Sequence, residues 1–449
     1  MNKDNKNFKV GLVAMSGVRA CDGELLELGL TLPGFVERSE TIASLPSLGL
    51  LTLAAMTPEW CDVSYHEVDQ IDDWVIEENT FDVVAISTFS AQVKEAYELC
   101  GRLKEKGVKH VVMGGLHVTA MPEEALKYCD AVIVGEGEPV WVEVLEDAKK
   151  GEIKGIYRAD DAFDLADAPV PAYELLNIER YNRLTVQTSR GCPFKCEFCA
   201  SSILLTEKYK QKPMGKVLAE VDKICEIWKR PFVEFADDNS FVNRGYWKKL
   251  LPELAKRKIK WFTETDLNVA WDDELLRMMR ESGCAEVLIG LESPVEAGLD
   301  GLETKGNWKY RQLCKYKDGI ARIQEAGIRV NGCFILGLDG HDEGIFERVS
   351  VFADELELYD VQVTYLTAFP GTPLYARLRR EGRLLEEGAW EKCTLFDVTY
   401  EPRGMSASAL REGFHGLVKK LYDEESTARR REGFKEKFRR ASRMQKCVV

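Results

Sequence analysis

Apolar residues in the first 150 positions come in short unbroken runs, separated by stretches where they recur at helical spacing. The runs predict strands at Phe8 to Met15, Val63 to Val68, Val83 to Thr88, His110 to Gly115 and Ala131 to Gly135. Amphipathic helices are predicted between them at Pro46 to Met56, Ala91 to Lys106, Pro122 to Tyr128 and Pro139 to Lys149. Strictly alternating strands and helices call for parallel strands with helices on both faces.

Five such strands predict an α/β, Rossmann-like or flavodoxin-like module at 1–150, with its ligand beyond the strand C-termini. That edge carries Ser87-Thr88, Gly114-Gly115-Leu116-His117 and Gly135-Glu136-Gly137-Glu138. From 151 to 182 the pattern breaks into Ala, Asp and Pro, which reads as a linker laid over a surface. The alternation then resumes over 183–380, with strands at Arg183 to Thr188, Phe232 to Ala236, Trp261 to Thr265, Glu286 to Leu291, Ile328 to Leu336 and Val361 to Leu366. Six βα units suit a partial (β/α)6 barrel, whose reactive groups gather at the strand C-terminal ends. The remainder, 381–449, reads as mostly helical and is expected to cap the barrel mouth.

A length of 449 residues with 45% hydrophobic content supports two cores. The net charge of -14 argues against general nucleic-acid binding. One stretch runs the other way: Arg429 to Lys446 holds nine Lys or Arg against two Glu, with Phe434 and Phe438 one helical turn apart. It reads either as a basic helix making peripheral membrane contact or as a solvated terminal helix with two apolar anchors. No apolar run reaches the roughly 20 residues of a spanning helix, and no apolar leader precedes Phe8, so the expected location is cytoplasmic.

Cys192, Cys196 and Cys199 form a C-x3-C-x2-C triplet. Three thiolates on one loop can hold three irons of a 4Fe-4S cubane and leave the fourth iron to a ligand that is not protein. A structural zinc site would want a fourth Cys or His at short spacing, and a disulfide pairing would want an oxidising compartment. The triplet, with Phe198 just before its third cysteine, resembles the radical S-adenosylmethionine superfamily. The resemblance implies S-adenosylmethionine on the open iron, its reductive cleavage to a 5'-deoxyadenosyl radical, and an external low-potential electron donor.

S-adenosylmethionine presents an ammonium, a carboxylate, a ribose diol and an adenine. Candidate contacts stand at successive barrel strand ends: Asp237, Asp238 and Asn239, then Glu264, then Glu292 and Ser293 after Gly290, then Gly337. The resemblance adds Phe198 to this set. The alternative for each is an acidic strand end that caps a helix.

The N-terminal Gly114 to His117, Pro122-Glu123-Glu124, Gly135 to Glu138 and Pro46 to Ala55 are similar to the cobalamin-binding domain fused to many members of that superfamily. The resemblance implies that Ser87, Thr88, Gly114, Gly115, His117, Gly135, Glu136 and Gly137 contact cobalamin. The alternative is ordinary sheet-edge turns in a module without its cofactor. The family signature D-x-H-x-x-G after the first strand is missing, because Ser16 to Glu24 contains no histidine. A literal match at Asp339 to Gly344 lies in the barrel, so His341 is expected to be a loop residue. Cys225, Cys284, Cys314, Cys333 and Cys393 read as core or surface thiols, and Tyr365, Thr367 and Tyr375 as substrate-side or structural groups.

The leading expectation is a radical enzyme that uses cobalamin to methylate an unactivated carbon of a small-molecule or lipid-like substrate. The rivals are cyclisation, oxidation or rearrangement of a tetrapyrrole- or lipid-like substrate, and a non-catalytic iron-sulfur or corrin-binding protein.

Overall fold

Two six-stranded parallel sheets organise the chain, seen in a computed structural model that describes residues 8–27, 45–159, 162–204, 206 and 208–447. The first comprises β1 (Phe8–Met15), β2 (Cys61–Val68), β3 (Val83–Ser87), β4 (His110–Gly114), β5 (Ala131–Val134) and β6 (Ile156–Arg158), in the order β2-β1-β3-β4-β5-β6. Its central strands are apolar throughout, as strands covered on both faces must be: all four residues of β5 are buried. Helices Leu48–Met56, Val93–Glu105 and Trp141–Lys150 cover the sheet. Ser47 starts the first of these by accepting a bond from the Leu50 amide at 3.4 Å. Gly151, at φ +78°, ends the last.

The sixth strand falls inside the stretch read as linker. Its three residues are too few to show a period of two, yet Tyr157 is buried and its hydroxyl bonds Asp147 at 3.0 Å. Beyond it the chain ties the two sheets together. The Ala172 amide donates to the Leu51 carbonyl at 3.0 Å, and the Tyr173 hydroxyl donates to Thr185 O at 2.7 Å.

The second sheet is built from β7 (Leu184–Val186), β10 (Phe232–Phe235), β11 (Lys260–Thr265), β12 (Cys284–Glu292), β13 (Arg329–Leu336) and β14 (Asp360–Tyr365), all parallel and in sequential order. It is the expected partial barrel. Between β7 and β10 the short strands β8 (Ser189–Arg190) and β9 (Lys210–Gln211) form an antiparallel pair beside the cysteine loop. Trp247 and Trp261 stack with ring centroids 6.0 Å apart and, with Phe235, fill the outer core of the barrel.

The C-terminal region is helical, but its long last helix does not cap the mouth. Glu424–Cys447 crosses the barrel floor, over the turns that precede the strands. Arg431 pairs with Asp360 at 2.8 Å, the Phe434 ring lies 5.2 Å from that of Tyr359, and Arg280 sits 5.3 Å over the Phe438 ring. Both phenylalanines are thus turned inward, as expected of apolar anchors. Among the described residues no helix is long and apolar enough to cross a membrane.

Candidate active site

The cysteine loop is held from every side. At its start the fully buried Asp237 accepts from the Thr188 and Ser189 amides at 2.7 and 2.9 Å, and from the Thr188 and Ser240 hydroxyls. Gly191, at φ +88°, turns the chain while Asp238 accepts its amide at 2.8 Å. Farther along, Glu197 receives Arg377 through two bonds of 3.0 and 2.6 Å, and the Phe194 ring stacks on Trp308 at 4.2 Å.

Cys192, Cys196 and Cys199 are free thiols lining one cavity of about 370 Å³ at the strand C-terminal ends. Burial pushes the Cys192 thiol up to about 11 and the Cys196 thiol up to about 12. Among the described residues no three His, Cys, Asp or Glu side chains converge on one point as a single metal ion requires. A cubane takes one thiolate at each of three corners, and three cysteines on one cavity wall are the donor set that would hold it.

Of the residues expected around S-adenosylmethionine, Phe198, Asp238, Asn239, Glu264 and Glu292 line this cavity. Three do not. Asp237 is spent on the loop, while Ser293 is buried and bonds the Val295 amide at 3.1 Å and His341 at 3.0 Å. Gly337 lies under the C-terminal region, where an added Cβ would stand 2.6 Å from the Tyr400 hydroxyl. Its carbonyl accepts from that hydroxyl.

Glu292 adopts φ +61° at an irregularity in β12, an unusual conformation for a residue with a side chain. Its carboxylate folds back over Gly290, where a Cβ would meet it at 2.5 Å, and pairs with Lys309 at 2.7 Å. Burial works against the Lys309 charge, but Glu292 and Cys196 hold its ammonium above the usual lysine range. Lys309 is a cavity residue that sequence reasoning missed, since it follows an irregular loop and belongs to no strand end. The Glu264 side chain is exposed to the open lumen, yet the barrel wall around it, followed by Glu234, Asp238 and Glu292, pushes its carboxyl up to about 8. Cys333, Tyr365 and Thr367 also face the cavity; Tyr375 instead packs on Trp390 at 5.6 Å.

A second cavity, of about 450 Å³, lies at the C-terminal edge of the first sheet. Ser87, Gly114, Gly115, Gly135, Glu136 and Gly137 line it together with helix Leu48–Met56 and Trp141. Gly115 is required there: at φ +104° a Cβ would lie 2.8 Å from the Thr88 carbonyl. Two expected residues are absent. Thr88 is buried, and its hydroxyl bonds Phe89 O at 3.0 Å. His117 turns away, bonding Ser90 at 3.0 Å, approaching Glu124 at 3.5 Å and packing on Trp390, and burial pushes its imidazole below the usual range.

The other four histidines are placed elsewhere too. His66 bonds Ser64 at 2.8 Å, His110 begins β4, and His415 bonds Asp22 at 2.9 Å. His341 is a buried loop residue pushed down to about 4 by burial. The loop after β1 therefore offers no imidazole and is anchored by Asp22 to Arg411 at 2.6 Å. The recess is glycine-edged and largely apolar, none of the five histidines lines it, and its glycine edge would let part of a corrin approach the backbone.

Three family models match: "B12 binding domain" at residues 42–145, "Radical SAM superfamily" at 186–353, and a domain of unknown function, DUF4070, at 372–447. An uncharacterized methyltransferase of Synechocystis is 34% identical over 359 residues, covering 76% of this chain, which spans only 64% of that protein's length. The bacteriochlorophyllide d C-12(1)-methyltransferase of Chlorobaculum tepidum is 27% identical over 393 residues, covering 86% of this chain and 84% of its own. Among solved structures, the radical S-adenosylmethionine methyltransferase TsrM of Kitasatospora setae, with cobalamin and a 4Fe-4S cluster bound, superposes with a TM-score of 0.66 at 15% identity over 94% of this chain and 90% of its own. With the two cofactor-domain models in tandem and a fold to match, the chain belongs to the radical S-adenosylmethionine superfamily and carries an N-terminal domain of the cobalamin-binding type.

Proposed function

We propose that the protein is a cobalamin-dependent radical S-adenosylmethionine methyltransferase acting on an unactivated carbon of a small, largely apolar molecule. The observation that carries this reading is the pair of cavities, one walled by three cluster thiols and the other by a glycine edge, on adjoining sheets of one chain. When bound, the cluster supplies the electron that breaks S-adenosylmethionine to a 5'-deoxyadenosyl radical, and cobalamin supplies the methyl group. Cys192, Cys196 and Cys199 would hold the cluster; Asp238, Asn239, Glu264, Glu292 and Lys309 would orient S-adenosylmethionine. The glycines at 114, 115, 135 and 137 would admit the corrin, with Ser87 and Glu136 bonding its polar rim.

The division of labour follows the chain: 1–150, completed by β6, for the corrin, the rest of 151–182 as tie, 183–380 for cluster and radical, 381–449 closing the substrate side and the floor. An external low-potential donor supplies electrons, and an oxygen-poor cytoplasm suits such a cluster. With Phe434 and Phe438 turned inward, contact with anionic lipid rests on Arg439, Arg440 and Arg443, and vesicle co-sedimentation at rising salt tests it.

The deciding experiment is anaerobic reconstitution with iron, sulfide and hydroxocobalamin. Desalting follows, then incubation with S-adenosylmethionine, dithionite and a panel of tetrapyrroles and polycyclic lipids. Retained corrin, 5'-deoxyadenosine and a product heavier by one methylene are expected. Product formed at unchanged carbon count would favour cyclisation or rearrangement, and absence of 5'-deoxyadenosine would leave only a binding protein.

A further inference from the structure

Four charges with little access to solvent tie the turn after β5 on the first sheet to the β8–β9 pair beside the cysteine loop. Arg190 ends β8, two residues before Cys192, and its guanidinium reaches Glu136 at 2.6 Å and Glu138 at 2.7 Å. Both acids belong to the turn after β5, on the other sheet. Lys210, the cross-strand partner of Arg190, reaches Glu136 at 2.6 Å, and Glu136 also accepts the Phe163 amide at 2.9 Å. The side chains of Glu136 and Glu138 are each only 7% exposed and that of Arg190 15%, so water screens them little. Burial disfavours the Glu136 charge, yet Lys210 and Arg190 hold the carboxyl below the ordinary range.

The bridge itself lines one cavity and reaches the other only through the backbone. Glu136, Glu138 and Arg190 are all wall residues of the glycine-edged recess. Along the backbone, Arg190 leads into Gly191, whose amide is fixed by Asp238, a wall residue of the thiol cavity. A planar guanidinium that spans two carboxylates cannot shift toward one without loosening the other. Ordering the cysteine loop therefore fixes where Arg190 presents its charge, and through it where Glu136 and Glu138 stand at the recess wall.

We propose that Arg190 is a positioning residue that couples the two sites, so that filling the thiol cavity with its cluster tightens corrin binding in the recess through Glu136 and Glu138. The coupling rests on the function proposed above and adds a reciprocal link: corrin must stabilise the cluster loop by the same factor.

The test compares the hydroxocobalamin dissociation constant of the full chain with and without its reconstituted cluster, for wild type, Arg190→Gln, Arg190→Lys and Glu138→Gln. No turnover is needed. In the wild type the cluster is expected to tighten corrin binding by about tenfold. Arg190→Gln should bring that ratio to one while iron per chain stays near the wild-type value. Glu138→Gln and Arg190→Lys, which keep part of the bridge, should give intermediate ratios, and they carry the test if Arg190→Gln does not fold. A ratio of one in the wild type, or an unchanged ratio in all three variants, overturns the coupling. Failure of the wild type to bind corrin in either state overturns the coupling and the cobalamin assignment together, whereas a flat ratio with tight corrin binding spares the latter.

Discussion

The two parallel sheets share a strand number and the same βα grammar, yet they differ in what lies on their faces. In the first, the central strands are apolar on both sides and polar groups wait at the tips, as with Ser87 after Val83 to Ile86. The barrel strands bury an apolar outer face and turn polar residues, interspersed with apolar ones such as Leu288 and Ile335, into the lumen. Glu286 and Glu292 do so on β12, Asn331 and Cys333 on β13, and Asp360, Gln362 and Thr364 on β14. A flat sheet can place chemistry only at its edge, whereas a curled one has an interior. The recess on the first sheet is accordingly a matter of missing side chains, and the barrel cavity one of side chains supplied.

That difference predicts opposite kinds of damage. Cys196→Ala should abolish iron binding and reduce 5'-deoxyadenosine to background, leaving corrin retention measurable. Gly115→Val should do the reverse. A side chain at φ +104° beside the Thr88 carbonyl costs about 1–3 kcal/mol of local strain and fills the recess, so corrin is lost on desalting while the reconstituted iron signal persists. Iron and cobalt counts on the two purified variants check both. Loss of both metals in either variant would show that the sheets do not divide the work.

The same contrast explains what could be read from the sequence. All six barrel strands and five of the first sheet's six were legible, because an apolar run needs no tertiary information. The thiol triplet and the edge glycines were legible from spacing. Which glycine faces a ligand was not. Gly115 and Gly337 both have positive φ and follow strands, but one borders an open recess and the other lies against Tyr400 and Leu410. A missing Cβ records a close approach without saying what approaches. His117 misled for a similar reason, since a helical turn of five residues does not show from sequence which way its first side chains point. Lys309 was invisible because only the fold brings it to Glu292.

Glu264 sharpens the comparison next. The surrounding barrel wall and the neighbouring acids push its carboxyl up from the ordinary 4.5 to about 8, so the folded state holds the proton more tightly. The associated stability is complete below pH 4.5 and is lost as pH rises toward 8. Glu264→Gln removes that loss. The variant should melt higher than wild type at pH 8 but little differently at pH 4.5, and it should cleave S-adenosylmethionine about tenfold or more slowly. Differential scanning fluorimetry across that range, with 5'-deoxyadenosine counts, tests it. A lower melting point at pH 8 would mean that the carboxyl is a structural partner rather than a strained site group.

At the barrel floor the polar lumen meets the last helix, and there the expected effect is smallest. Arg431 pairs with Asp360, whose side chain is fully buried, while both carboxylate oxygens of Glu286 lack a partner. Burial raises both carboxyls, with Asp360 acting on Glu286 as well, and Arg431 opposes the rise. Arg431→Met keeps the stem that covers the floor and deletes the counter-charge. Because the guanidinium side chain is 33% exposed, the cost should fall below that of breaking a fully buried pair, at about 1–2 kcal/mol near pH 7. The sign with pH is fixed. Both carboxyls ionise at higher pH folded than unfolded, and losing Arg431 widens the gap, so the deficit grows from pH 4 to pH 7 and shrinks toward zero below pH 4. Urea denaturation at both pH values measures it. A deficit that is equal at the two would mean that Arg431 serves the floor by packing alone, and that the polar lumen ends above it.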